Sequence, residues 1–187
     1  MKNLLKRLGD LLYLIAYQIT NWRAHARALF LGNTHVVGVV TYKGVLTGVK
    51  IGKDGSKQNL GVLGTRSVTN AAATFMRDDF NDGASDINLF NFHDSGTGAV
   101  AENVTDTALG TAAGPARVSG TKSAPASNQF RSVATIAYSG TLAITEHGLF
   151  SASTAGTLWD RTVFAAVNVV SGESIQFTYT LTITAGG

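Results

Sequence analysis

Asp94-Ser95-Gly96 is the tripeptide in this chain best suited to place a carboxylate for acid–base work. Aspartic proteases use two such Asp-Ser/Thr-Gly aspartates that share one proton. The triplet occurs once, so this chemistry would need a dimer using Asp94 from each copy. Its setting fits poorly: Asn91-Phe92-His93 is a weak apolar strand, and Gly96-Thr97-Gly98 reads as a tight turn. That turn also lacks the lysine and spacing of a phosphate-binding loop. The histidines His25, His35, His93 and His147 form no H-x-H or H-x3-H pair. His93-Asp94 and Glu146-His147 could meet in space as an acid–base pair or metal site. Neighbours on a strand point to opposite faces, however, so neither dipeptide is a chelate by itself, and structural histidines are the better reading. Asp78, Asp79, Asp82 and Asp86 lack calcium-loop spacing and read as a solvated loop. The chain has no cysteine, which removes disulfides, thiolate catalysis and Cys-based metal sites. No catalytic, cofactor-binding or metal-ligating residue is expected, and no cofactor.

The elements that would position these groups are mostly strands. From Ser174 to Ile183, polar residues alternate strictly with Ile175, Phe177, Tyr179, Leu181 and Ile183, the period of a half-buried antiparallel strand. Phe130–Tyr138, Thr141–Phe150 and Thr157–Ala165 are similar runs. Ser139-Gly140, Ser151–Gly156 and Ser171-Gly172 separate them as turns, so the four runs read as one antiparallel meander. Residues 93–129 read as loop, punctuated by glycine and proline. Residues 67–79 carry helix-forming alanines behind a Thr69 or Asn70 cap. Residues 35–53 read as two or three short strands, with Lys53-Asp54-Gly55-Ser56 as a hairpin turn. The expected fold is mainly β: an antiparallel β-sandwich or jelly-roll-like domain over 63–187, a short β linker over 33–62, and an amphipathic helix over 1–32.

That helix has an unusual stripe. Leu5, Leu8, Leu12, Ile15, Ile19 and Trp22 follow a 3-4-3-4-3 spacing, the seam of a coiled coil or bundle. Leu4, Leu11 and Leu14 widen it, so the six seam residues are the expected oligomerisation or docking surface. Asp10 and Gln18 bracket an apolar run far too short to span a bilayer, and Asp10 also interrupts any signal-peptide core. Charge is divided along the chain. Residues 1–66 hold ten basic side chains against Asp10 and Asp54, a net of +8, while residues 67–187 hold five basic and ten acidic, a net of −5. The basic residues serve best as the solvated side of the helix and hairpins, so neither nucleic acid nor membrane is an expected partner, although Lys2, Lys6, Arg7, Arg23 and Arg27 could bind either. Only 14% of residues are charged and 21 are glycine, a composition suited to proteins held within assemblies.

Several segments, in order, resemble a known kind of protein. They are Leu63-Gly-Thr-Arg-Ser-Val-Thr-Asn70, Asn91-Phe-His-Asp-Ser-Gly-Thr-Gly98, Val104-Thr-Asp-Thr-Ala-Leu109 and Arg117-Val-Ser-Gly-Thr-Lys122. Ile144-Thr-Glu-His-Gly-Leu-Phe150, Gly156-Thr-Leu-Trp-Asp-Arg-Thr-Val-Phe164 and the alternating final strand complete the series. It resembles the β-domains of tail-collar, fibre and related virion proteins of tailed bacteriophages. The resemblance spans roughly residues 60–187 and transfers no catalytic residue. It implies a non-enzymatic virion component assembled in the host cytoplasm, in either the tail or collar or as capsid decoration. Its implied partners are further copies, a trimer above all, and capsid, portal or tail proteins. Within the series, Glu146 and Arg161 are placed to pair across the Ser151–Gly156 turn. Gly148 permits close approach or a bulge, and Phe150, Trp159 and Phe164 are candidate core residues. These six are expected to define the fold.

Overall fold

The computed structural model describes residues 40–66, 68–82 and 86–185. The expected helix over 1–32, with Leu5, Leu8, Leu12, Ile15, Ile19 and Trp22, lies outside the described residues. The body is mainly β, with nine strands among the described residues: β1 Thr41–Ile51, β2 Lys57–Arg66, β3 Phe92–Gly96, β4 Val118–Ser119, β5 Thr121–Ser123, β6 Gln129–Ala137, β7 Leu142–Phe150, β8 Leu158–Val169 and β9 Ser174–Thr184. A helix, α1, covers Asn70–Asp82, and a 3-10 turn covers Ile87–Leu89. The strands form two antiparallel sheets, ordered β2-β1-β9-β6-β5 and β4-β3-β7-β8.

Pairing with β1 on one side and β6 on the other makes β9 the middle strand of the larger sheet. Ile175, Phe177, Tyr179 and Leu181 are buried, and the intervening polar residues face away. β1 pairs with β9 along its whole length, from Thr41↔Thr184 to Ile51↔Ser174. Residues 41–62, expected as a linker, therefore belong to the same sheet as the C-terminal strand. They form one long strand and most of a second, and not a set of short ones. The turn between them is as expected: Asp54 accepts from the Ser56 amide at 3.0 Å, and Gly55 has φ of 80°.

The expected meander is corrected. β6 pairs with β9 in one sheet, while β7 pairs with β8 in the other. Of the three turns expected in it, only Ser151–Gly156 joins paired strands as a hairpin. Ser139-Gly140 and Ser171-Gly172 instead carry the chain between sheets, and they are bonded together: the Tyr138 amide donates to Glu173 O at 2.9 Å and Gly172 N to Tyr138 O at 2.8 Å. Alternation dictates which side chains face inward but not whether the next strand lies beside its predecessor or across the core; pairing with the distant β1 decides that here.

Thr69 caps α1, accepting from the Ala72 amide at 3.1 Å. Ala72 and Met76 are buried, and Phe75, Phe90 and Trp159 stack in sequence with ring centroids 4.9 and 4.8 Å apart. Asp78 and Asp79 lie on α1 and Asp86 caps the 3-10 turn, so the acidic cluster is not one loop. A core shared by both sheets contains Leu46, Ile136, Ile144, Leu149, Trp159, Ile175, Phe177 and Tyr179.

Candidate functional site

The groups with chemical potential gather on the four-stranded sheet. Consecutive residues of β7 and β8 are buried, Glu146 to Phe150 and Leu158 to Thr162, because both faces of this sheet are covered. The inner face meets the core. The outer face is roofed by the loop over 97–117.

Glu146 ties that roof down. It is fully buried; its Oε1 accepts from the Gly98 and Thr111 amides, each at 2.8 Å, and its Oε2 from the Gly110 amide at 2.9 Å. Arg161 Nε donates to the same Oε2 at 2.7 Å, completing four bonds to one carboxylate. The expected pair is thus present, two residues off the direct register, in which Val163 faces Glu146 and Gly148 faces Arg161. Arg161 also donates to Asp106 at 3.0 Å and to Val100 O at 3.1 Å, so one guanidinium spans sheet and roof. Burial alone would raise the Glu146 pKa. The Thr111 and Gly110 amides, Arg161 and the Gly98 amide outweigh it, and the group sits below the usual carboxylate range. Gly98 is required here, since a Cβ at that position would collide with Glu146 Oε1. Gly148 makes room for the roof itself: a Cβ there would lie 2.9 Å from Leu109 Cδ2. Phe150 and Trp159 are buried, as expected of core residues, whereas Phe164 is only half-buried, 6.4 Å from Phe177 between ring centroids.

Asp94 lies on β3, not before a turn, and faces the roof. It accepts from Arg117 Nε at 3.1 Å, and Arg117 also donates to the Ala152 and Ala155 carbonyls while lying 3.4 Å over the Phe150 ring. Ser95 accepts from the Tyr138 hydroxyl at 3.0 Å. The Asp-Ser-Gly triplet is therefore spent on internal contacts.

His93 and His147 do meet, on the inner face opposite Asp94 and Glu146. His93 Nδ1 lies 2.9 Å from His147 Nε2, and His93 Nε2 lies 2.8 Å from Ser132 Oγ. Ser132 donates its only proton to Asn91 Oδ1 at 2.6 Å, while Asn91 Nδ2 donates to Gly120 O at 2.6 Å. The directions follow. His93 must donate from Nε2, so its Nδ1 is an acceptor and His147 Nε2 is the donor. This chain requires a neutral His93, because a second proton on that ring would set two donors against each other. Burial lowers the His93 pKa to about 4; burial and then His93 hold His147 well below the ordinary value. A third buried cluster joins Trp159 Nε1 to the Tyr179 hydroxyl at 3.0 Å, and that hydroxyl to Asp160 at 3.1 Å. Burial pushes the Asp160 carboxyl up to about 6.

Among the described residues, no group of three or more His, Cys, Asp or Glu could hold a metal ion, and no helix is long and apolar enough to cross a membrane. The sequence pointed to Glu146, Arg161 and the histidines but not to Ser132, Asn91, Arg117 or Asp160. Ser132 carries the only available signal, as a polar residue on the inward phase of β6. No protein-family model, curated protein or solved structure matches the chain.

Proposed function

We propose that this protein is a non-enzymatic structural component of a bacteriophage virion. In this reading it is an oligomeric tail, collar or fibre-type part: residues 1–32 dock it, and its two sheets form an antiparallel sandwich that serves as a stiff head. The observation that carries the proposal is how the polar groups are used. Glu146, Arg161, Asp94, Arg117, His93 and His147 all bond within the chain, and together they fasten the roof loop to the sheet and the sheet to the core. Groups fixed in this way resist deformation but are not presented to a substrate. The ordered likeness over roughly 60–187 to phage tail-collar and fibre β-domains supplies the setting. Capsid decoration is the alternative placement within the same class.

Gradient-purified particles of the phage encoding this chain provide the test. Mass spectrometry should find the protein at a fixed, multiple copy number, and gold-labelled antibody should mark the tail. Label over the capsid shell would favour decoration. Absence of the protein from purified particles would refute the reading.

A further inference from the structure

The outer face of the five-stranded sheet carries few charges. Register lays its residues out in rows across the strands. One central row is Asn59, Val49, Gln176 and Thr135; the next is Val62, Thr47, Thr178, Val133 and Thr121. Thr65, Val45, Thr180, Arg131 and Ser123 follow on one side, and Lys57, Ile51, Ser174 and Ala137 on the other. The central rows hold no charge. Lys57, Arg131 and, beyond it, Lys43 lie toward the two ends, and no acidic residue occurs in any row. An uncharged centre inside a charged border is the anatomy of an interface, whereas free surfaces intersperse charges of both signs. The described residues lay no helix or strand over this face, although they roof the opposite sheet over Glu146–Phe150 and Leu158–Thr162.

We infer that this face is an interface between two copies of the chain, packed sheet against sheet about a two-fold axis. Size supports the assignment. Strands about 4.8 Å apart rising about 3.3 Å per residue give this sheet a face of about 600 Å². A pair would bury about 1,200 Å², the lower end of stable specific interfaces. A two-fold axis near the central rows sets Thr and Val against themselves and keeps the cations toward the rim. The contact does not depend on the virion reading, which particle composition decides separately.

The absence of cysteine makes the test direct. In the full-length chain, Thr178→Cys should be joined into dimers by a short bis-maleimide, while Thr154→Cys, in the exposed β7–β8 turn, should not. Light scattering should show that Thr178→Lys loses the sheet-to-sheet partner, halving the mass if this is the sole contact. Val62→Lys, on the 64% exposed edge position, should weaken the pair without endangering the fold. Circular dichroism identifies a Thr178→Lys protein that has not folded, in which case Val62→Lys and the cross-link decide. A monomeric parent at its highest soluble concentration, equal cross-linking at 154 and 178, or a mass unmoved by a folded variant would overturn the inference.

Discussion

In the five-stranded sheet, Leu46, Ala134, Ile136, Ile175, Phe177, Tyr179 and Leu181 face inward, and Ser132 is the one buried polar side chain. In the four-stranded sheet, His93, Asp94, Ser95, Glu146, His147, Asp160, Arg161 and Thr162 are all buried. Among the described residues, the larger sheet is covered on one face and the buried part of the smaller on two, and the chemistry follows from that. One covered face can be filled by apolar side chains, whose burial is favourable without regard to direction. A second covered face, roofed by irregular loop, must also satisfy the loop's own amides and carbonyls. Glu146 and Arg161 do this, and they make the smaller sheet strong only while every partner is present.

The largest effects should come from breaking each sheet by its own chemistry. Glu146→Ala leaves Arg161 buried beside an empty position and orphans the Gly98, Gly110 and Thr111 amides; a loss of about 3–5 kcal/mol is expected in denaturant unfolding. Hydrogen exchange should then show residues 97–112 opening before the strands do. Replacing both partners, Glu146→Met with Arg161→Leu, should recover part of the stability but not the protection of that loop. Phe177→Ala, in the larger sheet, should also cost about 3–5 kcal/mol through the cavity it leaves. There the loop should open no earlier than the rest. If both substitutions gave the same exchange pattern, the two sheets would not be held by different means.

The parts of this molecule legible in the sequence are those governed by local rules. Period two located β6 to β9 to within a few residues, Thr69 and the alanines after it announced α1, and Asp54-Gly55 announced the β1–β2 turn. Glu146 and Arg161 were readable as a pair because only a short hairpin separates them. The rest depends on distant contacts. That β1 lies beside β9, that β6 and β7 belong to different sheets, and that His93 reaches His147 and Ser132 are consequences of where strands pack. Side-chain alternation is silent on that. The 93–129 stretch reads as structureless because its bonds are not those of a continuous strand or helix: they run to Glu146 and Arg161, and between its own separated residues, as from Arg117 to Asp94 and from the Thr97 amide to Thr111 O.

Acid should separate the two sheets next. His93 and His147 have folded pKa values below the ordinary 6.5, with His93 at about 4. The unfolded chain therefore binds more protons, and stability falls as pH drops below 6.5, by about 1.4 kcal/mol per pH unit for each histidine. Asp160 acts in the opposite sense. Its folded value is raised from 3.8 to about 6, so the fold takes up a proton there first and offsets one histidine between those limits. Urea unfolding from pH 8 to 4 should show this shallow loss. His147→Gln should flatten it by about one proton, and Asp160→Asn should steepen it by about one. Ser174→Ala or Thr180→Ala on the outer face of the larger sheet should leave the slope unchanged. A slope that moves with those residues would mean that the titration does not belong to the inner face of the smaller sheet.

The smallest expected effect concerns the joint between α1 and β8. The Thr69 hydroxyl donates to Leu158 O at 2.6 Å and accepts from the Ala72 amide, while the Thr69 amide donates to Trp159 O at 2.9 Å. Thr69→Ala removes the cap and one buried bond and should cost about 1–2 kcal/mol. Thr69→Ser retains the hydroxyl and should cost less than about 0.5 kcal/mol. Amide exchange in α1 should rise in the alanine variant, with the 97–112 loop unaffected, because Glu146 and not Thr69 holds that loop. An alanine variant that also released the loop would show that helix and roof open as one unit, and the smaller sheet would then have a single fastening instead of two.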